Sequence, residues 1–276
     1  AWLTDSNPMR DQAWATDVLP LQEAQQDDQA WATARAVQAY LRCAFHSLDQ
    51  SELNTRRRKR GLEPVNALVT QRPGRIFPVP DFEARTGLKG ASIASGAMFQ
   101  GLARCIGLQA RDIAPEGNPQ ADLSSRLDLA ASLLSEYDFI HVHSKAPDQA
   151  GHSKNCQVKL EVIEGLDRAL TPYMSLLAQD PEILAVIASD HSTPSSGPLI
   201  HSGEPVPVIM RGRSIRRDQV QAFDEISAAC GCLCLMRDTE LFRMVLNGLN
   251  KAKLHGIQEV AAERLFWPGS APGLSL

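Results

Sequence analysis

Residues 183–194 read Ile-Leu-Ala-Val-Ile-Ala-Ser-Asp-His-Ser-Thr-Pro, an apolar run that ends in an Asp-His pair. A run of this length and composition predicts a strand, Ile183 to Ser189, buried on both faces. Such strands belong to parallel sheets with helices packed against each side. Outward from it the pattern alternates. Tyr137 to His143 and Val206 to Met210 are further apolar strands; Ser124 to Leu134, Cys156 to Leu177, Phe223 to Cys230 and Thr239 to Leu249 carry helical spacing. Strands alternating with helices predict a mostly parallel α/β sheet.

Upstream the pattern is mixed. Residues 22–50 are helical, with Ala30, Ala34, Val37 and Leu41 on one face. The only dense basic run, Arg56-Arg57-Arg58-Lys59-Arg60, ends at Gly61, which suits a helix C-cap; an anion site is the functional alternative. Val65 to Thr70 reads as a strand, Phe82 to Gly87 as a helix, Ala91 to Ile93 as a strand and Ser95 to Gly107 as a helix. Residues 113–122 are rich in Pro and Gly and suggest a domain boundary, giving a smaller α+β domain over 1–117 and the α/β core over 118–276.

Composition narrows the function. The chain has 276 residues, 43 % hydrophobic and 22 % charged, with a formal net charge of −4, so no global positive field favours a nucleic acid partner. Apolar runs fall short of the ~20 residues of a membrane span. The six cysteines include Cys230, Cys232 and Cys234 in an alternating spacing that lacks a CxxC pair, and they are expected to be buried reduced thiols of a cytoplasmic protein.

Three segments, each just past a predicted strand, carry the chemistry. In the first, Asp148 and His152 stand four apart and share a helical face. The second is Asp190-His191, and the third is His201-Ser202-Gly203-Glu204. Each alone is an ordinary capping or loop residue set. Together, at strand ends where open α/β sheets bind ligands, they suggest a divalent metal site. Mixed Asp and His donors suit Zn²⁺ or Mn²⁺ better than Mg²⁺ or Ca²⁺. His141 and His143 alternate on a strand and are further candidate ligands, whereas His46 and His255 sit in predicted helices as surface or packing residues.

Lys145 to His152 (KAPDQAGH), Ser189 to Pro194 (SDHSTP) and His201 to Val208 (HSGEPVPV) together resemble the archaeal-type cofactor-independent phosphoglycerate mutases of the alkaline phosphatase superfamily. Looser similarity at Leu53–Asn66, Thr86–Leu88, Gly101–Arg104 and Phe223–Ser227 extends the resemblance over nearly the whole chain, as a cap domain plus the C-terminal part of the core. The resemblance implies a cytoplasmic, glycolytic, oligomeric phosphomutase with two divalent ions, Mn²⁺ or Zn²⁺, with Mg²⁺ a further option. It implies Asp148, His152 and His201 on one ion and Asp190 and His191 on the other. Lys145, Arg72 and Arg75 are expected to meet a small phosphorylated acid between cap and core. The family's nucleophilic Ser and one further Asp precede the inserted cap, so they are expected in a missing N-terminal segment or a second subunit; Ser192 and Ser202 have neither role. Alone, the 276 residues are expected to lack mutase activity.

Several positions depart from the family pattern: Gln149 for Glu, Ser153-Lys154 for Asp-Gly, Gln100 for a phosphate-binding Lys, and Glu116-Gly117-Asn118-Pro119 for a Gly-Ala-Thr-Gly turn. These leave a silent or regulatory paralogue, or a phosphatase or phosphomutase with another substrate, as alternatives. A metal amidohydrolase built on His141 and His143 would need more strands after residue 143 than the sequence offers.

Overall fold

The computed structural model describes residues 2–8, 13–75, 77–237 and 239–252. The chain divides into two compact units, Ala1–Pro78 and Val79–Leu276.

The first unit is built on α1 (Asp28–Asp49), capped by the Asp27 carboxylate, which accepts from Gln29 N. One face of α1 supplies Ala34, which is buried with Leu3 and Val18 and flanked by Val37 and Leu41. After α2 (Glu52–Lys59), Gly61 at φ 69° turns the chain, as the C-cap reading requires. Part of the basic run is occupied structurally: Arg57 Nε donates to Glu63 O at 2.8 Å, and Arg58 pairs with Asp49. The expected strand Val65 to Thr70 does not form. Side chains satisfy most of its ends, and the Thr70 carbonyl accepts from the backbone N–H groups of Ser6 and Asn7 at 3.1 Å. Fully buried Asn54 takes both backbone groups of Val65, at 2.8 and 2.9 Å, and Thr70 N donates to Ser6 Oγ at 2.7 Å.

The second unit holds the sheet. After α3 (Phe82–Thr86) come β1 (Gly90–Ala94), α4 (Ala97–Cys105), β2 (Gln109–Asp112), α5 (Pro119–Leu133) and β3 (Phe139–Val142). The strands pair in the order β2-β1-β3, all parallel. All five residues of β1 are buried, and Ala91 and Ile93 form a core with Leu133 and Tyr137. Gly90 is required there, because a Cβ would lie 2.3 Å from Leu108 Cδ2. Then follow α6 (Ala146–His152), α7 (Cys156–Gln179), β4 (Ala185–Ala188), β5 (Val208–Arg211), α8 (Glu225–Ala229) and α9 (Glu240–Gly248). Helices pack on both sides of the parallel sheet, and α7 packs on α5. This is the mixed α/β architecture that the alternation predicts.

Four expectations need correction or fall outside view. The boundary at 117/118 would cut between β1 and β3, which are hydrogen-bonded neighbours; the division lies at 78/79. The Pro/Gly-rich stretch is a helix start, with Asn118 accepting from Gln120 N and Ala121 N and Pro119 at the first helical position. β4 is not buried on both faces: Ile187 and Ala188 are exposed, and among the described residues β4 pairs only with β5, antiparallel. The six cysteines are free, as expected, but exposed; Cys105 and Cys156 end and begin helices, and Cys230 to Cys234 follow α8. His255 lies outside the described residues.

A buried ion pair ties α5 to the end of β1. Arg126, 2 % exposed, donates through Nε to Asp122 Oδ2 (2.7 Å) and through Nη2 to Asp122 Oδ1 (2.9 Å) and Ser95 Oγ (2.5 Å). Burial alone would push the Asp122 carboxyl up; the Arg126 guanidinium and the Glu116 N–H outweigh it and hold the group below its ordinary value. Removing one partner strands a buried charge, so Asp122→Ala should cost about 3–5 kcal/mol in denaturant unfolding. Because the folded-state pKa is depressed, the pair's contribution is complete above the ordinary Asp value of 3.8 and is lost as pH falls through the lower folded value.

Candidate metal centre

The parallel strand β3 ends at Val142, and α6 begins four residues later. On this single helical turn Asp148 and His152 face each other, with His152 Nε2 3.2 Å from Asp148 Oδ1. The segment leaving β4 brings Asp190 and His191, and a bridge between Ser192 and Ser202 folds it back, with Ser202 N donating to Ser192 O at 3.2 Å. That fold places His201 against His191, their ring centroids 4.1 Å apart; His152 and His201 rings are 5.0 Å apart. One ligand atom each of Asp148, His191 and His201 lies within 4.8 Å of the others. Asp190 Oδ2 is 3.4 Å from His191 Nε2.

Among the described residues Asp148, His191 and His201 form one group that could hold an ion, not the expected Asp148, His152 and His201; His152 touches Asp148, and Asp190 touches its chain neighbour His191. The donor set fits a divalent cation. Separations of 3.2–3.4 Å between a carboxylate oxygen and an imidazole nitrogen match two ligands held about 2.1 Å from one tetrahedral ion.

At the centre of the trio sits Thr193, only 4 % exposed. Its Oγ1 is 2.9 Å from Asp148 Oδ1, 3.3 Å from His191 Nδ1 and 3.1 Å from His201 Nδ1. Two lysines hold its backbone. Lys159 Nζ on α7 donates to Thr193 O at 2.7 Å, and Lys154 Nζ donates to Pro194 O at 2.8 Å and to Leu199 O.

The remaining candidates are distributed unevenly. Lys145 Nζ lies 4.0 Å from Asp148 Oδ2 and is half-exposed. Arg72 and Arg75 belong to the other unit; Arg72 N donates to Asp5 Oδ1 at 2.6 Å, and Arg75 lines a small cavity with Trp2 and Asp27. His141 Nδ1 is 3.0 Å from Ser92 Oγ, and His143 stacks on Phe99 with centroids 4.0 Å apart, so neither joins the cluster. Burial lowers the His143 pKa; Asp190 opposes this, and Arg126 and Lys145 add to it. Gln100 is buried and donates to Ala94 O (2.6 Å) and Arg111 O (3.2 Å), a packing role where the resemblance expects a phosphate-binding Lys.

A family model described as the metalloenzyme superfamily matches residues 26–247. The chain belongs to that superfamily. Among the curated relatives of this chain, a 2,3-bisphosphoglycerate-independent phosphoglycerate mutase of Methanococcus maripaludis is 33 % identical over 255 residues, covering 92 % of this chain and 62 % of the relative. Phosphoglycerate mutase 2 of Methanocaldococcus jannaschii is 33 % identical over 270 residues, covering 96 % and 60 %. The solved structure of a Pyrococcus horikoshii protein superposes with a TM-score of 0.70 at 27 % identity, covering 87 % of this chain and 62 % of that one. The cofactor-independent phosphoglycerate mutase of Thermoplasma acidophilum superposes with a TM-score of 0.55 at 24 % identity over 90 % of this chain and 59 % of that one, a likeness of fold. The chain spans about 60 % of the length of the curated relatives it matches.

Sequence reasoning named the candidate ligands and missed what holds them. Thr193, Lys154 and Lys159 act through space across 34 to 45 residues, which no local pattern signals. Gly151 carried a hint, since it lies between two candidate ligands. A Cβ there would stand 2.7 Å from Thr193 O and 2.8 Å from Thr193 Cγ2. Because the first contact is backbone, Gly151→Ala should displace residues 191–193, cost about 1–3 kcal/mol in stability and weaken Mn²⁺ or Zn²⁺ binding measured by titration calorimetry.

Proposed function

We propose that this metalloenzyme chain is the cap and the C-terminal part of a metal-dependent phosphomutase that interconverts 3-phosphoglycerate and 2-phosphoglycerate. The observation that supports the reading is the grouping of Asp148, His191 and His201, with His152 beside Asp148 and Asp190 beside His191, in a chain whose relatives are named phosphoglycerate mutases. The five side chains would hold two divalent cations, Mn²⁺ or Zn²⁺ by their donor chemistry, with Mg²⁺ less suited to three imidazoles. Bound there, the cations supply the positive charge that a transferring phosphoryl group needs on its attacking and leaving oxygens.

The chain's own residues do the rest. Lys145, beside Asp148 and half-exposed, offers an ammonium to the carboxylate or phosphate of the substrate. Arg72 and Arg75 are further candidate anion contacts, and the guanidinium fork suits a carboxylate or phosphate. The nucleophilic serine and one more aspartate ligand would come from a segment or subunit beyond these residues. The assembly would be an oligomer working in the cytoplasm, a setting with which six free cysteines accord. Among the described residues no helix is long and apolar enough to cross a membrane.

Gln100 favours a second reading. With its amide committed to Ala94 and Arg111, it leaves the place of a phosphate-binding lysine without charge, which points to a related phosphatase or phosphomutase with another substrate, or to a silent paralogue.

The test is an assay of the complete gene product with Mn²⁺, Zn²⁺ or Mg²⁺, following 3-phosphoglycerate conversion. Turnover that chelation abolishes and metal restores supports the mutase. Phosphate release without isomerisation favours the phosphatase, and metal binding without turnover the paralogue. In each case Asp148→Asn and His201→Gln should weaken metal binding at least tenfold, and unchanged affinity would remove the proposed centre.

A further inference from the structure

Thr193 touches every member of the candidate ligand trio, yet a threonine hydroxyl has one proton and two lone pairs. Its three neighbours use that capacity completely. The Asp148 carboxylate can only accept, so the Thr193 hydroxyl donates to Asp148 Oδ1 at 2.9 Å. The contacts at 3.1 and 3.3 Å to His201 Nδ1 and His191 Nδ1 are then hydrogen bonds only if each Nδ1 carries the proton and donates to Oγ1. In the neutral ring each imidazole is thereby held as the Nδ1–H tautomer, with the lone pair on Nε2.

One contact is the rival arrangement: His191 Nε2 stands 3.4 Å from Asp190 Oδ2, where a ring protonated at Nε2 would be attracted to the carboxylate. Asp190 is exposed to water, which weakens that pull, whereas Thr193 is only 4 % exposed. We infer that Thr193 is a positioning residue that holds His191 and His201 as Nδ1–H tautomers, which leaves Nε2 as the nitrogen of each ring with a lone pair to offer a divalent cation. The inference rests on the metal-centre reading above and adds how this chain sets its donors.

The residue is built into place for the task. Lys159 Nζ holds its carbonyl at 2.7 Å, the absent Cβ of Gly151 leaves room for its carbonyl and Cγ2, and the Ser192–Ser202 bridge fixes the distance along the chain from His191 to His201. Outer hydrogen bonds that set the tautomer of a ligating histidine govern its affinity, and their loss typically costs about 10- to 100-fold in metal binding.

The experiment compares the complete wild-type gene product with Thr193→Val, which keeps the shape and loses the hydroxyl, and Thr193→Ser, which keeps the hydroxyl. Long-range ¹H–¹⁵N correlations of the histidine rings in metal-free protein read the tautomers, with signals assigned through His191→Gln and His201→Gln. Mn²⁺ and Zn²⁺ affinities come from competition with a chelator, and unfolding curves check that each variant is folded. Wild type and Thr193→Ser should both show Nδ1–H rings at 191 and 201. Thr193→Val should lose that signature and bind either metal about 10- to 100-fold more weakly, with Thr193→Ser close to wild type. Nε2–H rings in the wild type overturn the inference, and so does a Thr193→Val protein with unchanged tautomers or unchanged affinity. If the wild type binds no divalent cation, the metal-centre reading falls, while the tautomers of the metal-free protein still decide what Thr193 does.

Discussion

The site exists because a lysine on one helix holds the backbone of a loop. Between the end of β4 at Ala188 and the start of β5 at Val208 the chain has no regular element, yet this segment carries Asp190, His191, Thr193 and His201. Ordering such a stretch costs ~1–2 kcal/mol of backbone entropy per residue. Lys159 Nζ on Thr193 O, Lys154 Nζ on Pro194 O and Leu199 O, and the Ser192–Ser202 bridge offset part of that cost. Hydrogen bonds from a cation to a carbonyl are each worth roughly 1.5–3 kcal/mol when shielded, and less where water reaches them. Lys154 accepts a further cost to reach its carbonyls, standing at φ 55° where the family resemblance places a glycine. The loop is therefore held from α7 and the turn before it, and the ligand geometry follows from that hold.

Much of this was legible in the sequence, for physical reasons that differ by element. Helix α7 was visible because 24 residues repeat an apolar stripe at helical spacing. The Asp148/His152 pair was visible because a four-residue spacing on a helix fixes a common face whatever the tertiary context. The stretch 113–122 misled, since Pro and Gly mark a linker and a helix start equally well, and only the Asn118 cap and the pairing of β1 with β3 tell them apart. Val65 to Thr70 has the composition of a strand, but Asn54 and Ser6 reach its backbone first. Thr193 was out of reach altogether. Its partners include Asp148, 45 residues away, and nothing in Ser-Asp-His-Ser-Thr-Pro distinguishes a hydroxyl that faces a ligand from one that faces water.

The two buried polar groups behind β1 belong to a different logic from the metal centre. Arg126 is neutralised by Asp122 and anchored to Ser95, and Gln100 spends its amide on Ala94 and Arg111. Both groups stiffen the carboxyl end of a parallel strand, the edge at which open α/β sheets bind ligands. They do so with the Gln100 amide NH2 and the Arg126 Nε and Nη2, while Gln100 Oε1 and Arg126 Nη1 are buried without a partner. Rigidity behind the site and recognition within it compete for the same polar atoms, and at Gln100 rigidity has prevailed.

That competition separates chemistry from specificity along the chain. Every candidate ligand of the metal centre, together with Thr193, Lys154 and Lys159, lies in the unit that begins at Val79. The candidate anion contacts are divided, with Lys145 in that unit and Arg72 and Arg75 in the one that ends at Pro78. A donor set confined to one unit keeps its geometry through changes in the other, because its distances are fixed by α6, α7 and the loop they hold. Candidate anion contacts in two different units have no such shared frame, and substitutions at Arg72 or Arg75 leave the Asp and His cluster untouched. Departures from the family pattern at Gln100 and at Glu116 to Pro119, beside intact Asp and His ligands, are what that separation permits. On the proposed reading, a chain organised in this way could change substrate while its candidate metal ligands stay where they are.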